Sequence, residues 1–362
     1  MRKIGKAQPQ KSKTARQNKY YQPPAKNSWT GRIDSNEDYD FFRWHQVVER
    51  LDLAKRKESP VSGAETGFCF LGFCCDEGVR RNLGRPGAAK GPLSIRKDLA
   101  NLPCSFDRKL KLFDAGNILC PDRKMEKAQD ELAAAVRKII SLNLFPVVLG
   151  GGHEVAFGHY RGIEEAKRDF AKENNFSVGI INFDAHFDLR PYGRGGNSGT
   201  MFLQIADRCR ENREIFSAFY VGIQKTANTI GLFKTADRQK ASYVLARDIN
   251  DASLPAVCGR LSDFINEHDG IYLTICADVF SSAFAAGVSS PQPFGLLPET
   301  VLHFMKHVVR SGKVLSFDIA EVSPGLDADH RTAMLAAVVV FAYINTVIET
   351  AGVSPRAGFS RR

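Results

Sequence analysis

Six short, almost unbroken apolar runs recur along this chain, and they leave few folds open to it. They lie near Phe68 to Phe73, Phe145 to Leu149, Val178 to Phe183, Ala218 to Val221, Ile271 to Ile275 and Val314 to Phe317. Runs this short, without polar alternation, suit strands buried on both faces. Between them, Asp122 to Leu142, Val155 to Asn175 and Pro298 to Arg310 mix charged and apolar residues near helical period, and Arg331 to Val347 is Ala-, Val- and Ile-rich like a buried helix. Alternating strands and helices predict a mainly parallel sheet covered on both sides, a three-layer α/β/α sandwich. No repeat or composition shift divides residues 19–362, so they read as a single domain.

Three of the runs end in metal-binding residue types. Asp184, His186 and Asp188 follow Val178 to Phe183 at i, i+2 and i+4. In an extended chain these side chains leave one face, aiming two carboxylates and an imidazole at a common point. His153 stands after three glycines, Gly150 to Gly152, and Cys276 and Asp278 share parity beyond Ile271 to Ile275. Open α/β sheets build their sites outside the carboxyl ends of the strands. Donors gathered there would repel unless a cation neutralised them, which points to a hydrolytic centre with one or two divalent ions. Singly, the residues allow plainer roles: His153 could cap a helix, and Asp278 could be a loop carboxylate.

Charge excludes more than it suggests. The net charge is +10, but nine of the 50 basic residues precede the first acid, Asp34, so the remaining 41 face 40 acidic ones. The body is near neutral, and residues 1–18 read as a disordered basic tail without an apolar signal core. No nucleic-acid partner is expected. No run approaches the roughly 18 consecutive apolar residues of a membrane span, so no membrane partner is expected either. Eight cysteines lack a secreted-scaffold spacing and suit a reducing cytoplasm. No zinc-type CxxC pair and no GxxxxGK motif occurs.

GGGHE at 150–154, DAHFD at 184–188 and ICADVFSSAFAAGVSSP at 275–291 together resemble the three signatures of the ureohydrolases, the arginase and agmatinase superfamily. Further stretches are similar to its formimidoylglutamase branch: YYQPPAKNSWTGRID near the start, CDEGVRRNLGRPGAAKGP at 75–92, NSGTMFLQIA at 197–206, GIQKTANTIGLF at 222–233 and FDIAEVSPGLDADHRTAMLAA at 317–337. The resemblance runs from about residue 19 to residue 350. It implies an arginase-like fold, two manganese ions and a homo-oligomer. It also implies hydrolysis of N-formimidoyl-L-glutamate to L-glutamate and formamide.

Carried over by position, His153, Asp184, Asp188 and Cys276 would hold one ion, and Asp184, His186, Cys276 and Asp278 the other. Asp188 would also act as general base. Glu321 matches the family carboxylate that pairs with a cationic amidine. Arg190, with Asn197 and Ser198, would bind the acidic end of the substrate, and its presence argues against arginine or agmatine.

Several positions depart from the pattern. Cys276 stands where most members have a metal-bridging aspartate. A thiolate there would favour softer ions, whereas a packing role would need none. Met201 and Ala286 replace prolines, and Ser198, Gly199 and Thr200 occupy the segment that carries a proton-shuttle histidine in arginases. The leaving-group acid is thus not identified. If the strand bearing Cys74 and Cys75 neighbours that of Cys276, a disulfide between them would close the site. Another ureohydrolase activity, or a metal-poor ligand-binding relative, stays open as an alternative.

Overall fold

Alternation in the sequence becomes alternation in space. In the computed structural model, which describes residues 18–63, 65–170, 176–193 and 195–350, ten strands join one sheet. They are β1 (Tyr21–Gln22), β2 (Val48–Arg50), β3 (Thr66–Cys74), β4 (Leu110–Leu119), β5 (Phe145–Leu149), β6 (Val178–Phe183), β7 (Ala218–Ile223), β8 (Ser242–Leu245), β9 (Gly270–Cys276) and β10 (Val314–Ala320). The helices are α1 (Trp44–Val47), α2 (Glu77–Arg81), α3 (Gly91–Leu99), α4 (Met125–Ser141), α5 (Val155–Phe170), α6 (Met201–Glu211), α7 (Ile230–Arg238), α8 (Leu254–Asn266), α9 (Pro298–Val309) and α10 (Arg331–Thr350). The strand order is β1-β4-β3-β5-β10-β9-β6-β7-β8, with β2 also on β4. Among the described residues only β1 runs antiparallel to its neighbour.

Successive residues of each strand feed opposite cores, as the period of two requires. Phe68 and Phe70 of β3 pack with α3, α8, α9 and α10. Cys69, Leu71 and Phe73 pack with α4, α5, α6 and α7. The α/β/α expectation therefore holds. The first of these cores is also aromatic: Tyr343 of α10 stacks on Phe317 at 4.5 Å and meets Phe68 edge-on at 6.1 Å. That seat explains why α10 is long and apolar: it is a core helix of this fold.

β4 was not foreseen, and its buried ion pair explains why. Lys111, Asp114, Gly116 and Asn117 interrupt its apolar pattern. Asp114 is buried because Arg96 of α3 donates to its Oδ1 at 2.9 Å, while Trp29 donates to its Oδ2 at 3.0 Å. The same arginine donates to Asn117 Oδ1 at 2.7 Å and Gly116 O at 2.6 Å. One buried cation thus satisfies three groups and anchors the N-terminal segment onto the sheet. Residues 1–17 of the expected tail, and 171–175 of the helical stretch after Val155, lie outside the described residues.

Candidate metal centre and substrate cavity

The chain leaves β5 for β6 across two sheet positions that β10 and β9 fill later, so β5, β10, β9 and β6 are neighbours. Their carboxyl ends deliver His153, Glu321, the Cys276 and Asp278 pair, and the Asp184 to Asp188 run to one place. Gly151 makes the first turn possible, since a Cβ there would sit 1.8 Å from the Cys75 carbonyl oxygen. Asp188 and Glu321 adopt the left-handed region, at φ 49° and 68°. Non-glycine residues rarely do so, and such backbone is held only where surroundings over-determine it.

The donors converge. His153 Nδ1 lies 3.0 Å from Asp184 Oδ2 and 3.1 Å from Asp188 Oδ2. His186 Nδ1 lies 3.1 Å from Asp278 Oδ2 and 3.4 Å from Asp184 Oδ1. Ligand atoms of His153, Asp184 and Cys276 all fall within 4.8 Å of one another, and those of Asp184, His186 and Asp278 do likewise. Asp184 belongs to both groups, which is the arrangement two ions sharing a ligand would need. Among these residues Asp278 Oδ1 is buried without a hydrogen-bond partner. An orphaned buried carboxylate oxygen amid acids is costly unless a cation takes it, so the residues present fit a divalent pair.

Electrostatics point the same way. Burial, then the charge of Asp184, pushes the Asp188 carboxyl up to about 6. Burial, then Glu154 and Asp278, pushes Glu321 up to about 8. Burial and Asp184 likewise raise Asp278 and lift the Cys276 thiol well above its usual range. Asp184 moves oppositely: burial opposes its charge, but hydrogen bonds from His153 and His186 outweigh it and hold the acid low. For the two imidazoles burial is the largest influence and disfavours charge, yet the carboxylates against them raise both well above the ordinary histidine value. Three acids, a thiol and two imidazoles thus share protons where metal charge would otherwise stand.

Beneath the ligands runs a buried polar chain that sequence reasoning missed. His153 Nε2 lies 3.1 Å from Thr274 Oγ1, which donates to Asp318 Oδ1 at 2.6 Å. Asp318 Oδ2 is bonded by His159 and Tyr272. Since the Thr274 hydrogen points to Asp318, its lone pairs are left to accept from Nε2–H, which keeps Nδ1 free to ligate. Thr274 and Asp318 lie inside apolar strands, and only their polarity within such runs could have signalled them.

Above the ligands opens a cavity of about 340 Å³, lined by His153, His186, Asp188, Cys276, Asp278 and Glu321 at its floor. Arg190 and Ser198 line it, and so do Asn82, Arg85, Ser289 and Ser290, which were not anticipated. Asn197 is not among the lining residues: its Oδ1 accepts from Gly199 N at 2.8 Å and shapes the loop. One earlier expectation needs correction. The disulfide from Cys74 or Cys75 to Cys276 fails on topology. β5 and β10 separate β3 from β9, which at about 4.8 Å per strand step is far beyond the roughly 4.5 Å that bridged Cβ atoms allow. All eight cysteines are free, and Cys75 instead meets Cys120 at the end of the adjacent β4.

This chain belongs to the Arginase family, whose model matches residues 66–345. It is 53% identical to the formimidoylglutamase of Clostridium tetani over 92% of this chain and 98% of that protein. In three dimensions it is similar to formimidoylglutamase from Bacillus subtilis, with a TM-score of 0.73 at 20% identity over 87% of this chain and 95% of that one. It is also similar to formiminoglutamase of Trypanosoma cruzi solved with Mn2+, with a TM-score of 0.67 at 22% identity over 82% and 98% of the two chains. The two structural likenesses carry the fold.

Proposed function

We propose that this chain hydrolyses N-formimidoyl-L-glutamate to L-glutamate and formamide, using two divalent ions, manganese by preference, held by His153, Asp184, His186, Asp188, Cys276 and Asp278. The carrying observation is one cavity set over two clusters of metal-ligand type, with two buried carboxylate oxygens without a partner, on Asp278 and Glu321, and two arginines in its lining. Similarity to the Clostridium tetani enzyme over nearly its full length supports the substrate.

Bound ions would supply one thing, a water acidified toward neutrality beside the formimino carbon. The rest falls to the side chains. Glu321 Oε1 is occupied by the His153 backbone N–H at 3.0 Å, and Oε2 is buried without a partner. An amidinium N–H donating to Oε2 restores the carboxylate that burial disfavours and fixes the carbon in place. Asp188 accepts the proton released as the C–O bond forms and returns it to the α-nitrogen as the C–N bond breaks. Formamide and the free amine of glutamate result. Arg190 and Ser198 bind carboxylate at the other end of the cavity.

Eight free thiols, including the proposed ligand Cys276, accord with a cytoplasmic setting, and a homo-oligomer without nucleic-acid or membrane partners accompanies this reading. The test is a product assay on manganese-loaded, reduced protein. Equimolar formamide and L-glutamate are expected. Urea from arginine or agmatine at a higher kcat/KM would overturn the proposal.

A further inference from the structure

Resting on that substrate reading, we propose that Arg85 is a second carboxylate anchor of the cavity, binding one carboxylate of the dicarboxylic substrate while Arg190 binds the other. Arg85 lies in the turn after α2, where Arg80, Arg81 and Arg85 fall close together in sequence. The first two are neutralised: Arg80 pairs with Glu77, and Arg81 pairs with Glu77 and Glu126. Arg85 has no carboxylate partner among the described residues, and neither does Arg190. These are also the two arginines that line the cavity.

Arg85 is nevertheless held in place. Its backbone N–H donates to Ser289 Oγ at 2.9 Å, its Nε to Ser289 O at 2.9 Å and its Nη2 to Val288 O at 2.7 Å. Carbonyl oxygens orient a guanidinium without cancelling its charge. Of its five N–H groups three remain, including the Nη1 and Nη2 pair on the open edge, which is the fork that grips a carboxylate bidentately. The turn itself is fixed by Asp76 Oδ2, which accepts from Gly87 N at 2.7 Å and Ala89 N at 3.2 Å.

Arg190 belongs to a different cluster. A Cβ on Gly199 would lie 2.9 Å from Arg190 Cδ and 2.9 Å from Asn82 Nδ2, so Arg190, Asn82 and the Gly199 loop pack together. The cavity thus carries two separately supported cations and, at Glu321, one acceptor for a cation. A substrate with two carboxylates and one amidinium matches that count. A monoanion or a guanidinium substrate would leave one of these two arginines, Arg85 exposed at the rim and Arg190 half-buried, without a carboxylate to grip.

The experiment compares wild type, Arg85→Met, Arg85→Lys and Arg190→Met on three compounds. These are N-formimidoyl-L-glutamate, N-formimidoyl-4-aminobutyrate, which lacks the α-carboxylate, and N-formimidoyl-L-2-aminobutyrate, which lacks the γ-carboxylate. On the parent substrate, Arg85→Met is expected to raise KM roughly tenfold to hundredfold with a much smaller change in kcat. On one analogue it is expected to match wild type, and Arg190→Met on the other. Arg85→Lys keeps charge without the fork and falls between, and carries the same comparison should the methionine variant fold poorly. Arg80→Met, outside the cavity, is the unchanged control. Equal losses on both analogues, or none on the parent, would overturn the role of Arg85 alone. A wild type inactive on the parent would overturn the substrate reading and this assignment with it.

Discussion

The backbone N–H of His153 donates to Glu321 Oε1 at 3.0 Å, joining the residue after β5's glycine turn to the residue after β10. One carboxylate oxygen is thereby used to hold a proposed metal ligand, and the other is left for substrate. Glu321→Gln keeps an acceptor for His153 but loses the charge that faces an amidinium. It is expected to retain the melting temperature of the wild type and to lose roughly hundredfold in kcat/KM. Steady-state kinetics beside a thermal melt checks this, and unchanged kinetics would remove Glu321 from the reaction.

Proton sharing at the centre sets the sign of a pH effect. The folded, metal-free chain holds Asp188 at about 6 and Glu321 at about 8, whereas unfolded carboxyls titrate near 4. His153 and His186, also raised, keep protons that an unfolded chain sheds near 6.5. In each case the stabilisation is full below the unfolded pKa and is lost as pH rises through the folded one. Asp184, held low, titrates below this window. The metal-free protein is expected to melt lower as pH rises from about 5 to about 8, and the gain in Tm on adding manganese is expected to grow over that range. Calorimetry at several pH values, with and without metal, decides it, and a gain that shrinks with pH would contradict it.

Cys276 lies within ligand distance of His153 and Asp184, and burial with nearby acids keeps its thiol protonated without a cation. Cys276→Asp is expected to shift preference toward manganese over zinc, and Cys276→Ser to lower occupancy for both. Competition between the two metals, read by elemental analysis, would show no change in either variant if Cys276 only packs.

Thr274 stands between His153 and Asp318. Thr274→Val removes the acceptor for His153 Nε2–H while keeping the shape of the side chain. Chelator competition is expected to show metal binding weakened roughly tenfold to hundredfold. Thr274→Ser should restore it. Equal affinity in all three proteins would limit the chain beneath the site to packing.

Arg96 reaches no part of the cavity, so it separates stability from chemistry. Arg96→Met leaves Asp114 buried and uncompensated, which costs about 3–5 kcal/mol. Denaturant unfolding is expected to register that loss, with KM unchanged in the fraction that stays folded.

Legibility followed burial. Val178 to Phe183 and Phe145 to Leu149 match their strands end to end, because strands covered on both faces have no polar residue to obscure them. β4 escaped because Asp114 is buried, and Asn117 held, through Arg96, a partner 18 to 21 residues distant that pattern alone does not connect. The convergence of the candidate ligand residues was readable because they cluster on one parity beyond strand ends. Arg85, Ser289 and Ser290 were not, since the turn after α2 and the segment beyond β9 meet only in the folded chain. Asn197 is a related case: its side chain serves its own loop, a local demand that sequence spacing does not reveal.

The most direct test titrates metal-free protein with manganese while following bound metal and formamide release together. Two equivalents per chain are expected, with activity rising as they bind and both lost in Asp184→Ala, which removes the ligand common to the two clusters. Formamide release at full rate without metal, or tight binding of two ions by the Asp184→Ala protein, would contradict the proposed centre.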